Sequence, residues 1–395
     1  MRKGTSRAYI PDGILVNAFE FHQHSALVVD SAGLISSICA VENLPSEMEQ
    51  VDCASQIFVA APILAHAHLE SFDAPNESFA RDSFAGWVKS LLEWRSSDKR
   101  MSPAESASHS CKQLALNGCG LVATHVSEPG AEGDSEDKFP EVIPLVELFL
   151  PQSDASALSD SRYQCVALHA PYSVADDMAQ AVFSNVEEGG MVSIHLGEHA
   201  EERQFLRKGE GALASLFVER GLVLKDRSYS SAVDWLKKVG GLNPSTLAVH
   251  CTDLSAAELS ELASADVGIV FCPGTHLYFN RSKPEFAAVT GLLPALGCDS
   301  LASNLQLDPL YELRSAKEII PEISGQQWWQ SLTQRGAEVL RRPDLGSLSP
   351  GKQARVLSLS SADFSSKLSA EEICEVLCTS NSLSRELLQL NSSGE

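Results

Sequence analysis

Eight apolar segments recur between residues 57 and 303, and no other feature of the chain narrows its fold as far. They read "IFVAAPILAHAH", "GLVATHVS", "VIPLVELFL", "YQCVALHAPYSV", "MVSIHLGEH", "STLAVHCTDL", "VGIVFCPGTH" and "LLPALGCDSLAS". Stretches such as "SFAGWVKSLLEWR", "PAESASHSCKQLALNG" and "SAAELSELASA" lie between them and carry the apolar spacing of helices. Strands separated by helices pair in parallel through crossovers rather than as hairpins. Eight such units over roughly 250 residues predict a TIM (β/α)8 barrel, an α/β fold. The segment around 151–161 reads as a polar loop.

Polar residues gather at the carboxyl ends of these segments. His66 and His68 end the first, His125 the second, His169 the fourth and His195 the fifth. His250 ends the sixth, His276 the seventh and Asp299 the eighth. Active sites of this barrel form at that face, so residues distant in sequence would converge there. In "AHAHLES" the period of a strand points His66 and His68 to one side. Two neutral imidazoles on one face suit a transition metal, although a polar strand face has the same spacing.

The formal charge of −22 argues against nucleic acid as a partner and favours a small uncharged or cationic substrate. No segment has the length and apolarity of a membrane span, and "MRKGTSRAYIPDG" lacks the apolar run of a signal peptide. Ten cysteines without CxxC pairing suggest reduced thiols and a cytoplasmic protein. Residues 1–56 read as short strands, and "GSLSPGKQARVLSLS" near the other end reads as a turn followed by a strand. Both ends are expected to build one small β-sandwich domain: 1–56 its N-terminal part, 57–342 the barrel, 343–395 its C-terminal part with a terminal helix from "SAEEICEVLCTSNSLSRELLQL" and a frayed "NSSGE".

His66-x-His68, "IHLGEHAEE", "VHC", "GCDSLASN" and "GSLSPGKQAR" together resemble the amidohydrolase superfamily over nearly the whole chain. Within it the chain looks like the mononuclear-metal deaminases and chlorohydrolases that act on nitrogen heterocycles. "HAPYSV", "SFAGWVKSLLEWR" and "EERQFLRKGEG" look most like aminodeoxyfutalosine deaminase-like proteins, with deaminases of S-adenosylhomocysteine and methylthioadenosine as neighbours. Three departures leave the ligands intact. Ala61-Pro62-Ile63 replaces the usual Pro-Gly, Cys298 replaces the usual Thr, and Ala354-Arg355 stands where Ala-Asp is common. His125 has no counterpart in the pattern.

The resemblance implies one divalent metal on His66, His68, His195 and Asp299, zinc first, with Fe2+ or Mn2+ as alternatives. Binuclear members use a carboxylated lysine on the fourth strand, and "YQCVALHAPYSV" has none. The metal would lower the pKa of water towards about 7. Asp299 would accept the water's proton, Glu198 would protonate a ring nitrogen, and His250 would hold the attacking oxygen. The implied reaction is release of ammonia from a 6-aminopurine nucleoside derivative, aminodeoxyfutalosine of menaquinone biosynthesis first. Alternatives are S-adenosylhomocysteine or methylthioadenosine, guanine and triazines. His169, Trp87, Arg95 and Arg203 are the candidate substrate contacts. For Trp87 a helix packing face is the simpler alternative, and for the two arginines an exposed surface position. His125 and His276 read as structural, and His22, His24, His109 and His199 as surface. Oligomeric state stays open, a homodimer being the common case for such enzymes.

Overall fold

The computed structural model describes residues 6–134, 139–149, 165–187, 189–222, 228–362, 364 and 368–390. Eight parallel strands form the barrel: β1 (Ile63–Leu64), β2 (Leu121–Val126), β3 (Glu141–Leu148), β4 (Cys165–Leu168), β5 (Met191–Leu196), β6 (Thr246–His250), β7 (Gly268–Phe271) and β8 (Ala295–Leu296). Each pairs with its sequence neighbour. The ring is completed between the first and last strands by Ala65 N to Leu296 O (2.7 Å), Cys298 N to His66 O (2.9 Å) and His68 N to Asp299 O (2.9 Å). Gly297 permits this approach, since a Cβ there would lie 2.9 Å from the His66 carbonyl oxygen.

Both ends of the chain build a second, mixed sheet of seven strands. Arg7–Asn17, Glu20–Gln23, Ser25–Val29, Ile35–Ala40 and Glu49–Ala60 come from one end, Arg355–Ser360 and Ser384–Gln389 from the other. Alternation along these strands gives the sheet two apolar faces. Ile14, Val16, Phe58, Ala60 and Val356 enter the sheet's own core with Ile35 and Leu348. Leu15, Ile57, Val59, Leu357 and Leu359 join the core that continues into the barrel. Among the described residues no helix is long and apolar enough to cross a membrane.

Two details differ from the sequence reading. "IFVAAPILAHAH" is not one strand: residues up to Ala60 belong to the small sheet, and the barrel begins at Ile63. Proline has no N–H to continue a ladder, and around Pro62 the bonding partners change. Ala61 N donates to Arg355 O across the small sheet, while Pro62 O accepts from Gly120 N beside β2. The tail is likewise not helical throughout. Its helix, Ala370–Thr379, starts at a Ser369–Glu372 capping box, and Ser384–Gln389 then pairs antiparallel with Arg355–Ser360. The polar stretch at 151–161 and the terminal "NSSGE" lie outside the described residues.

Candidate active site

The carboxyl ends of β1, β5 and β8 aim three imidazoles and a carboxylate at one point. His68 Nε2 lies 3.1 Å from His195 Nε2, which lies 3.4 Å from His66 Nε2. Asp299 Oδ1 is 3.6 Å from His66 Nε2 and 3.7 Å from His68 Nε2. Metal–nitrogen bonds of about 2.0–2.1 Å separate tetrahedral ligands by roughly 3.3–3.4 Å. The four measured separations, 3.1 to 3.7 Å, are of that order. Neighbouring bonds fix their aim. His195 Nδ1 donates to the His169 carbonyl oxygen at 2.7 Å, leaving Nε2 its lone pair. Asp299 Oδ2 accepts from Thr275 Oγ1 (2.9 Å) and Ser303 Oγ (3.0 Å), so Oδ1 alone faces the histidines. Burial lowers the pKa of His66 and His68, favouring the neutral form that binds metals.

His250 and Glu198 complete the cluster from the ends of β6 and β5. His250 Nε2 is 3.9 Å from Glu198 Oε2, and burial pushes the His250 ring down to about 3. Burial works to raise the Glu198 pKa, but His250 and Arg281 outweigh it and hold the carboxyl below its usual value. The Glu198 backbone is fixed by Glu202, whose carboxylate accepts from Glu198 N (2.9 Å) and Gly197 N (3.2 Å). His250, Cys251 and Asp299 all hold positive φ. Such backbone is costly for residues with a Cβ and gathers at functional sites.

No family model matches the chain. It is 31% identical over 207 residues to 5-methylthioadenosine/S-adenosylhomocysteine deaminase of Teredinibacter turnerae, a match spanning 50% of this chain and 43% of that protein. With aminodeoxyfutalosine deaminase of Nitratiruptor sp. the identity is 26% over 273 residues, 65% of this chain and 66% of that protein. The matches span between 43% and 66% of the length of these relatives. Its fold superposes on Helicobacter pylori aminofutalosine deaminase with a TM-score of 0.77 at 20% identity, over 97% of this chain and 100% of that one. In sequence the chain is thus similar to deaminases of adenosine derivatives, and in fold to an aminofutalosine deaminase.

The remaining candidate residues divide. Trp87 lies on the helix Phe84–Arg95. Its Nε1 donates to Ala302 O at 3.0 Å, and its ring meets Phe279 edge-on. Phe84 N and Ala85 N at the same helix start donate to the Glu201 carboxylate (2.8 and 3.1 Å). The helix is thereby tied to the segments that follow β5 and β8. His169 is partly exposed, faces Tyr172 and Phe149, and is pushed down to about 4 by burial. Arg95 ends the same helix close enough to His169 to act on its charge.

Arg203 does not join them. Its guanidinium is committed to Asp253 (2.8 Å) and to both Glu258 oxygens (3.0 and 3.1 Å), which leaves no carboxylate-binding fork to offer. His276 belongs to the short helix Pro273–Tyr278, not to the end of β7, and packs on Phe271. His199 is not a plain surface residue either, since its ring stacks on Phe84.

Sequence reasoning misses two charged members. Glu147 of β3 accepts from His125 Nδ1 at 3.0 Å, while His125 Nε2 meets Ser193 Oγ at 2.8 Å. Burial would raise Glu147, but His169 and His125 hold its carboxyl well below the usual range. The signal was available, because an acid inside apolar "VIPLVELFL" must find a buried partner. Arg281 binds Glu198 Oε1 at 2.9 Å. It follows β7 by ten residues in a loop, and no sequence pattern marks it.

Proposed function

We propose that this chain is a metal-dependent hydrolytic deaminase that releases ammonia from a 6-aminopurine nucleoside derivative, with aminodeoxyfutalosine as the leading substrate. One observation carries the reading: a cluster of three imidazoles and one carboxylate, with Glu198 and His250 beside it. His66, His68, His195 and Asp299 would hold a divalent metal, which would supply Lewis-acid activation of water near neutral pH. Zinc suits this mixed nitrogen and oxygen set.

Asp299 takes one proton from the attacking water as its oxygen joins the amino-bearing ring carbon. Glu198, ionised beside Arg281, relays the water's other proton to the adjacent ring nitrogen, which makes that carbon more electrophilic. His250 Nε2 hydrogen-bonds the oxygen as the carbon becomes tetrahedral. The carbon–nitrogen bond then breaks, and Asp299 returns its proton to the departing amine as ammonia. His169 and Trp87 line the space beyond the ring for the sugar, and Arg95 meets a carboxylate at the far end. The names of the relatives support a nucleoside substrate.

Ammonia release from aminodeoxyfutalosine, S-adenosylhomocysteine, methylthioadenosine, adenosine, guanine and an amino-triazine, compared as kcat/KM under one set of conditions, tests this. The nucleosides should exceed guanine. A charge-assisted hydrogen bond is worth about 1.5–3 kcal/mol, so aminodeoxyfutalosine should exceed adenosine roughly ten- to a hundredfold, and Arg95→Met should narrow that gap. Activity confined to guanine or triazines would defeat the nucleoside assignment.

A further inference from the structure

Arg281 is buried with donors to spare. Its side chain and that of Glu198 are each 8% exposed, and Nη2 donates to Glu198 Oε1 at 2.9 Å. Cζ lies 4.6 Å from the Phe279 ring centre. Nε and Nη1 are buried and meet no hydrogen-bond acceptor among the described residues. Arg385, by contrast, spends its donors on both Asp308 oxygens and Asn117. A guanidinium is always charged, and unpaired N–H groups in a closed site cost free energy unless a ligand meets them.

We propose that Arg281 reads the substrate ring, donating one of these unpaired N–H groups to a neutral acceptor on the edge that Glu198 protonates. This rests on the deaminase reading above. On a 6-aminopurine the acceptor is N3, which lies across one carbon from the nitrogen that receives the Glu198 proton. The charge balance favours a neutral lone pair over an anion. Glu198 already neutralises Arg281, and Asp299 and Glu147 bring further carboxylates to the same cluster. The other titratable groups acting on the guanidinium are Tyr172, His199, His250 and His276. Arg281 thereby ties ring recognition to the proton shuttle, since one planar group touches Glu198 and, when bound, the base.

The test compares kcat/KM of metal-loaded protein on its best purine nucleoside and on the 3-deaza counterpart, which has C–H in place of N3. Wild type should prefer the parent by roughly ten- to a hundredfold, the worth of a charge-assisted hydrogen bond. In Arg281→Met the preference should fall to within about twofold while metal content is unchanged, and Arg281→Lys should keep part of it. If Arg281→Met slows both substrates equally and the preference persists, the proposal is overturned and Arg281 serves Glu198 alone. If wild type releases ammonia from no purine nucleoside, the deaminase reading fails separately. Calorimetry with the same pair then decides: the preference must appear in Kd and vanish in Arg281→Met, and its absence overturns the proposal.

Discussion

Glu198→Gln should lower kcat by about 10²- to 10⁴-fold and leave metal content at the wild-type level. The carboxyl belongs to none of the groups whose atoms converge closely enough to hold an ion. Its nearest functional neighbours are His250 Nε2 at 3.9 Å and Arg281 Nη2 at 2.9 Å, which suits a proton carrier beside the ligands rather than a ligand. Glutamine keeps the size of the side chain and an oxygen for Arg281 to bond. It has no proton to cycle, so binding survives and turnover does not. Steady-state kinetics with elemental analysis of the same preparation checks this. Loss of metal together with activity would show that Glu198 had been given the wrong role.

His66→Ala and Asp299→Ala should each abolish activity and bring bound metal, about one per chain in the wild type, close to zero. Each substitution removes one corner of a frame whose measured edges run from 3.1 to 3.7 Å. It also exposes the remaining imidazoles to water, so affinity and geometry fail together. Among the described residues every set that could hold a second ion shares ligands with the first. His68, His125, Glu147 and His195 also approach one another. Yet both His125 nitrogens are engaged by Glu147 and Ser193, and His195 Nδ1 is engaged by the His169 carbonyl. Chelation should abolish ammonia release, and restoring one equivalent of metal should recover it. Two equivalents in the active protein would contradict the single frame.

The barrel is legible because most of its strands lead from an apolar run into a polar residue, β3 and β7 being the exceptions. Every such run survives in the structure except the first, where Pro62 ends one ladder and another begins within three residues. The four ligand candidates are legible for a related reason, since their backbone positions follow from the strands alone. Contacts that depend on loop paths are not. Nothing in "EERQFLRKGEG" reveals that Arg203 turns away to Asp253 and Glu258, and nothing in "YFNRSKPEF" reveals that Arg281 turns inward to Glu198. Glu147 was half legible: its burial could be inferred, but its partner His125 lies on the preceding strand, 22 residues upstream.

The seam of the barrel gives the metal set a part in assembly as well as in chemistry. β1 and β8 are two residues long and hold few hydrogen bonds of their own, yet they close the ring. His66 and His68 stand on one lip of that seam and Asp299 on the other, with His195 contributed by a strand midway round. These groups can meet only after the intervening strands have formed and the most distant pairing in the barrel has closed, which is the contact with the largest loop entropy to overcome. An ion that binds all four cross-links the first and last strands. Its binding free energy is then also free energy of ring closure.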